Sequence, residues 1–302
     1  MENNEAARVK AYLGERKAIV DAALDRYLPK ADTYPPVIFE SVRYSIFAGG
    51  KRLRPIFCVA AAETVGGDMA VVLPTACALE MIHTYSLIHD DLPAMDDDEY
   101  RRGRLTNHKV YGEGLAVLAG DALLTDAFRL LSGKEAAESI APEKVVTVIH
   151  EIAEAVGFFG MVGGQVADLD AEGKDVDFET LNYIHHHKTE ALITVSLRAG
   201  AILANASDHD LEALTVYGGK IGLAFQIADD ILDIEGDLAS LGKETGCDSI
   251  RKKATYPSLV GLEQARSEAC RLVEDAVDAL NSFDHKADPL RMIARFIVDR
   301  RS

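Results

Sequence analysis

Apolar residues recur at helical spacing in nearly every long segment of the chain, as in Leu272, Val273, Ala276, Leu280 and Phe283, and no sustained alternation of apolar and polar positions marks a strand. The pattern predicts an all-α protein. Punctuation falls at Pro35-Pro36, Gly49-Gly50, Gly66-Gly67, Ser132-Gly133, Gly163-Gly164, Gly173 and the stretch 236–246, and the intervals between have helical length. About ten or more helices fit. Ser207 precedes Asp210 by three residues and stands ahead of an apolar-periodic run over 211–234, the signature of a capping box opening one long helix. Pro74 suits the first turn of a second long helix, over 71–89. Each of these helices runs into a cluster of aspartates.

A hydrophobic content of 48% over 302 residues is enough for a large core, and nothing marks a boundary, so 1–302 reads as a single domain. No run approaches the roughly 18 uninterrupted apolar residues of a membrane span. The N-terminal Met1-Glu2-Asn3-Asn4-Glu5 lacks a basic-then-apolar signal pattern, so a cytoplasmic protein is expected. Cys58, Cys77, Cys247 and Cys270 are too scattered for a zinc site or a disulfide framework. Lys and Arg number 32 against 49 Asp and Glu, a net charge of -17 that repels a nucleic-acid strand. An anionic substrate on such a chain calls for a metal ion.

The first acidic cluster is Asp90-Asp91-Leu92-Pro93-Ala94-Met95-Asp96-Asp97-Asp98-Glu99, six carboxylates in ten residues where an apolar helix meets a proline. An acidic run is ordinarily a solvated face. The second cluster, Asp229-Asp230-Ile231-Leu232-Asp233, argues otherwise, because it lies inside an apolar helix where an uncompensated carboxylate is costly to bury. At about 100° per residue, Asp229 and Asp233 share one face with Asp230 beside them. Like charges that close need a cation, and oxygen-only ligands favour a hard ion such as Mg²⁺, which takes one or two carboxylates plus phosphate oxygens and water. A diphosphate held between the clusters meets that requirement.

Cations suited to phosphate surround them. Gly49-Gly50-Lys51-Arg52-Leu53-Arg54-Pro55 places three in a glycine-opened turn, Arg101-Arg102 follows the first acidic cluster, and Lys188, Lys243 and Lys252-Lys253 lie further on. A single basic pair is ordinarily a surface salt bridge, so only the joint pattern carries weight. The Gly49-Gly50-Lys51 turn has neither the spacing nor the Ser or Thr of a Walker loop. His185-His186-His187 does not read as a metal site, since consecutive helical residues diverge by about 100°. No Gly-x-Ser-x-Gly elbow or catalytic-cysteine signature points to covalent catalysis.

The run His83-Thr84-Tyr85-Ser86-Leu87-Ile88-His89-Asp90-Asp91-Leu92-Pro93-Ala94-Met95-Asp96 through Arg101-Arg102-Gly103, with the Gly49 to Pro55 turn, His187-Lys188-Thr189 and Phe225-Gln226-Ile227-Ala228-Asp229-Asp230-Ile231-Leu232-Asp233, resembles bacterial farnesyl diphosphate synthases of the polyprenyl synthetase family. The resemblance covers essentially the whole chain. It implies the isoprenoid synthase fold, a helical bundle around a central cavity, and a homodimer. It also implies a trans-prenyltransferase condensing isopentenyl diphosphate with dimethylallyl or geranyl diphosphate. Farnesyl diphosphate is the expected product, with geranylgeranyl or geranyl diphosphate as the alternatives.

Position by position, Asp90, Asp91 and Asp96 resemble ligands of two Mg²⁺ ions on the allylic diphosphate, and Asp229 that of a third, supported by Asp230 and Asp233; Mn²⁺ can substitute. Lys51, Arg54, His83 and Arg102 match isopentenyl diphosphate positions. Arg101, Lys188, Lys243 and Lys253 match allylic diphosphate positions, and Thr189 and Gln226 flank the developing cation, completing a catalytic group with Lys188. Tyr85 and Ser86 precede Asp90 on one helix, about one turn below it, and in the family resembled an aromatic at that place, with the longer spacing between Asp91 and Asp96, accompanies a fifteen-carbon product. Two rivals fit less well. A terpene cyclase mixes Asn, Ser or Thr with Glu in its second acidic motif, and a non-catalytic prenyltransferase subunit should have lost site residues. The chain departs from the family pattern at Leu105, Cys247 and Glu190, the last bringing a negative charge near Lys188.

Overall fold

Helical periodicity is realised through nearly all of the residues described by the computed structural model, 2–133, 140–239 and 255–298. These form twelve helices of eight residues or more, two five-residue helices and one small hairpin. In chain order they are α1 (Glu2–Tyr27), α2 (Pro36–Ile46), α3 (Leu53–Thr64) and α4 (Met69–Asp90), then the hairpin β1 (Tyr100–Arg101) and β2 (Arg104–Leu105). There follow α5 (Asn107–Tyr111), α6 (Glu113–Leu131), α7 (Pro142–Val156), α8 (Met161–Ala171), α9 (Phe178–His185) and a π-turn (His186–Glu190). The chain continues with α10 (Ala191–Leu203), α11 (Asp208–Ala239), α12 (Tyr256–Val260), α13 (Leu262–Ala279) and α14 (Asp288–Val298).

Two apolar clusters make the core. One gathers α1, α2, α4, α6 and α7, the other α11, α13 and α14, and both draw on α3 and α10. A helix apolar on every side must be enclosed. Accordingly Pro55 to Ala62 of α3 are all buried, and a Cβ at Gly200 of α10 would lie 1.9 Å from the Cys58 carbonyl oxygen, so the two central backbones touch. Around this pair stand α4 and α11, the two long helices expected from the sequence.

Ser207 caps α11 as expected: its Oγ accepts from the Asp210 amide at 3.2 Å and donates to the Asp210 carboxylate at 2.8 Å. Three expectations need correction. The helix with Pro74 begins at Met69, because the Asp68 carboxylate accepts from the Ala70 amide at 2.9 Å; Pro74 therefore sits in the second turn. Gly163-Gly164 is no break but lies inside α8, while the chain turns instead at Gly157 to Gly160. A Cβ at Gly164 would lie 2.5 Å from the Lys188 amide nitrogen, so that glycine permits a close helix approach. And α11 continues through Gly236 to Ala239.

Two stretches are long and apolar enough to cross a membrane by composition, Met69–Asp90 and Pro142–Ala171. The first is the core helix α4. The second spans α7 and α8, and only 28% of its apolar window is buried in the chain.

Candidate active site

The first acidic cluster sits where α4 ends. Residues 91–97 coil back so that the Asp96 amide donates to the Asp90 carbonyl at 2.8 Å, while the Met95 and Asp97 amides donate to the Leu92 carbonyl at 2.9 and 3.0 Å. The Asp96 backbone is thereby held against the end of α4. The hairpin follows, with Arg102 and Gly103 at φ 53° and 74° as its two turn residues, a mirror-handed turn that suits the twist of paired strands. It aims the two arginines apart. Arg101 Nε donates to Asp91 Oδ1 at 2.5 Å, and Arg102 Nη1 donates to the Gly49 carbonyl. Burial pushes the Asp91 carboxyl up to about 6 against the opposing pull of Arg101.

The glycine-opened turn divides its three cations. Arg52, left-handed at φ 55°, is buried, donating to Asp21 Oδ1 and Glu80 Oε1 at 2.7 Å each and to the Ile46 carbonyl at 2.6 Å. It ties α1, α2 and α4 together behind the turn and is a structural residue. Lys51 stays exposed, and Arg54 reaches the cavity. Arg54 Nε is buried with no protein acceptor. Burial lowers Arg54 to about 10, with Arg102 adding to the fall and Glu80 and Asp229 opposing it. The neighbouring His83 is held well below the ordinary histidine range, first by burial and then by Arg54, Arg102, Arg101 and Arg52. A neutral imidazole and an unsatisfied guanidinium side by side form a ready anion seat.

The far wall comes from α8 and the π-turn. A π-turn carries one residue more per hydrogen-bonded ring than the α-helix and is frequent at functional sites. Here it presents Lys188 and Thr189 to the cavity, close against Gly164. Lys188 Nζ pairs with Asp168 Oδ2 at 2.6 Å. Glu190 points elsewhere: His186 Nδ1 lies 2.9 Å from its Oε1, a contact that raises the His186 pKa, and the side chain packs over Gly219 and Gly222 of α11. The departure at Glu190 thus leaves Lys188 to Asp168. The three histidines diverge as expected, with His185 directed at Asp230, His186 at Glu190 and His187 stacked on Tyr183 at 3.8 Å.

Thr189 begins a hydrogen-bonded chain into α11. Its Oγ1 donates to Gln226 Oε1 at 2.9 Å, Gln226 Nε2 donates to Asp230 Oδ1 at 2.9 Å, and Asp230 Oδ2 accepts from the Tyr256 amide at 2.8 Å. Asp230 is therefore a buried anchor for the Thr189–Gln226 pair. Asp229 lies within electrostatic reach of Arg54.

One cavity of about 380 Å³ joins these groups: Arg54, His83, Tyr85, Ser86, Asp90, Lys188 and Thr189 all line it. Arg101, Arg102 and Asp91 line a smaller recess of about 30 Å³ beside α4. Lys243, Lys253 and Cys247 lie outside the described residues. Two residues escaped the sequence reading, Asp168 and the cavity-lining Gln165, whose Nε2 is buried without a protein acceptor. Their spacing of three on one face of α8 was the available signal.

Among the described residues no three carboxylate, imidazole or thiol side chains gather closely enough to chelate an ion. Mg²⁺ commonly keeps several waters and borrows phosphate oxygens, so it calls for few protein carboxylates. Asp90 lines the cavity and Asp229 lies within electrostatic reach of Arg54, whereas Asp91 is engaged by Arg101.

The polyprenyl synthetase family model matches residues 35–290. The chain belongs to that family. Polyprenyl synthetases are prenyltransferases acting on isopentenyl and allylic diphosphates. This one is 51% identical to a geranylgeranyl diphosphate synthase of Cyanophora paradoxa over 96% of each chain. It is 48% identical to a dimethylallyltranstransferase of Fischerella ambigua over 96% of this chain and 83% of that one. Several other curated relatives also carry geranylgeranyl names. Among solved structures, an FPP/GFPP synthase of Zymomonas mobilis superimposes with a TM-score of 0.87 at 39% identity, covering 97% of this chain and 99% of that one. The isoprenoid synthase fold expected from the sequence is the fold observed.

Proposed function

We propose that this polyprenyl synthetase is a Mg²⁺-dependent trans-prenyltransferase whose main product is geranylgeranyl diphosphate. One observation carries the chemistry: a single cavity sets an unsatisfied Arg54 guanidinium and a neutral His83 near Asp90 and Asp229. Donors prepared for an anion face carboxylates suited to a divalent cation. Lys51, Arg54, His83 and Arg102 hold isopentenyl diphosphate, while Arg101 and Lys188, with Lys243 and Lys253, hold the allylic diphosphate. Asp168 fixes the Lys188 ammonium for that role. Asp90, Asp96 and Asp229, with Asp91 in support, would hold Mg²⁺, which would supply Lewis-acid stabilisation of the departing diphosphate. Thr189 and Gln226 present neutral oxygens to the positive allylic carbon, and the buried Met161 adds an apolar face to the cavity. In each cycle the allylic C–O bond breaks, a C–C bond forms with isopentenyl diphosphate, and the released proton goes to the leaving diphosphate.

Tyr85 and the spacing between Asp91 and Asp96 favour the farnesyl product expected from the sequence, as does the FPP in the name of the Zymomonas mobilis structure. The names of the relatives favour the longer one, and so does the shape of the cavity. Tyr85 closes only the α4 side, while on the α8 side the lining residues Val162 and Val166 are 41% and 62% exposed. A tail can extend past the tyrosine there. The exposed apolar side chains Leu118, Val146, Phe158 and Phe159 on α6, α7 and the turn after it support a homodimer, with a second copy covering them. Incubating the purified protein with labelled isopentenyl diphosphate and each allylic primer, with Mg²⁺ and with excess chelator, tests the proposal. Mainly twenty-carbon product that vanishes in chelator is expected. Mainly fifteen-carbon product restores the farnesyl assignment, full turnover in chelator removes the metal, and no elongation of any primer removes the activity.

A further inference from the structure

We infer that Gly120 on α6 is a specificity-determining residue, acting through the His89 imidazole to fix how deep the tail cavity runs. This depends on the elongation chemistry proposed above and extends it to residues outside the aspartate motifs. A glycine inside a helix costs about 1 kcal/mol relative to alanine, so its presence there calls for a steric reason. Gly120 is not at positive φ. What it provides is space: a Cβ at this position would lie 2.1 Å from His89 Nε2, 2.5 Å from Cδ2 and 2.8 Å from Cε1. The imidazole occupies the volume that a side chain at 120 would fill.

The ring is held in that notch. His89 Nε2 lies 3.0 Å from the Val117 carbonyl, which can only accept, so Nε2 carries the proton and donates. One turn earlier on α4, Tyr85 meets the same imidazole edge-on, with ring centroids 5.7 Å apart at 81°. Both Tyr85 and His89 line the cavity, and Tyr85 is 6% exposed. Gly120, His89 and Tyr85 are thus three packed layers of one wall. The wall opposite, at Val162 and Val166, is open, so the α6-backed side is the one whose position is fixed by protein packing alone. A methyl group at 120 drives the imidazole out of the notch on its cavity side and shortens the space for the tail. Deleting the imidazole does the reverse, and also frees the edge of Tyr85.

Four proteins decide the matter: the unmodified enzyme, Gly120→Ala, His89→Ala and the double variant, each given Mg²⁺, labelled isopentenyl diphosphate and geranyl or farnesyl diphosphate. Product lengths and thermal midpoints are read for each. Gly120→Ala should shift the main product one isoprene unit shorter, changing the long-to-short ratio roughly tenfold, the factor that about 1.4 kcal/mol produces between competing steps. His89→Ala should shift it longer. The double variant should match His89→Ala, because no ring remains to be displaced. If the added methyl unfolds the α4–α6 contact, the double variant should recover the lost thermal stability for the same reason. Four identical distributions overturn the inference while leaving the activity standing. So does equal shortening by Gly120→Ala with and without His89, or a stability loss that the double variant fails to recover. An unmodified enzyme that elongates neither primer overturns the activity itself, and the inference with it.

Discussion

Aspartates of one motif do different work in this chain. Asp91 serves Arg101 and Asp230 anchors Gln226, whereas Asp90 lines the cavity and Asp229 faces Arg54. Asp90→Ala and Asp229→Ala should each lower kcat at least about 100-fold, roughly 3 kcal/mol of transition-state stabilisation, with helical circular dichroism unchanged. A near-normal turnover number in either variant would remove that residue from the chemistry. Tyr85→Ala should lengthen the product without changing the Mg²⁺ requirement, as read by chromatography and a metal titration. At this scale residue types and spacing were legible, but roles only in part. The resemblance singled out Arg54 over Arg52, and the structure supplies the physical difference: Arg52 is a buried pin, while Arg54 Nε has no protein acceptor. Asp168 was hinted at only by its spacing of three from Gln165, because its partner Lys188 arrives from an element twenty residues away.

The elements locate these groups through a few close contacts. A valine at 164 would press on the Lys188 amide and the His187 side chain, the latter 2.9 Å from the new Cβ. Gly164→Val should therefore cost about 1–3 kcal/mol of stability, the usual range for overpacking, and should also lower kcat by misplacing Lys188 and Thr189. Denaturant melts and single-turnover rates measure the two effects. Arg52→Met leaves Glu80 buried without its cation and should cost about 3–5 kcal/mol. Burial raises the Asp21 pKa, but hydrogen bonds from Lys17 and Arg52 outweigh it and the net shift is downward. That contribution is present above the ordinary aspartate pKa of about 3.9 and is lost as pH falls through the depressed folded value. Acid melts of Arg52→Met should accordingly show a flatter loss below about pH 4 than the unmodified protein. Helix existence was legible because a 3.6-residue period leaves a plain trace. The breaks were less so. A glycine that turns the chain and a glycine that admits a neighbouring backbone look identical until the neighbour is known, which is why Gly163-Gly164 read as a break.

For the whole molecule, the all-α architecture and the reaction class followed from the motifs, while product length did not, since it depends on walls built from α4, α6 and α8 together. Phe158 and Phe159 are 85% and 80% exposed between α7 and α8, far beyond what an isolated chain gains from leaving aromatics in water. On the homodimer proposed above, replacing both with Asp should shift the protein from dimer to monomer in light scattering; a dimer that survives would put the interface elsewhere, and a monomer before substitution would remove the dimer. Val162 and Val166 belong to two surfaces at once, the wall of the cavity and the apolar exterior. A neighbour that covers the exterior also shuts the wall. Tail occupancy and self-association then become linked equilibria, and whatever free energy the closed wall adds to holding a long tail, the tail returns to the association. Enzyme carrying its longest intermediate would assemble at lower concentration than empty enzyme. Dilution would loosen the hold on that intermediate first, so the length of the chains released becomes a function of how much protein is present.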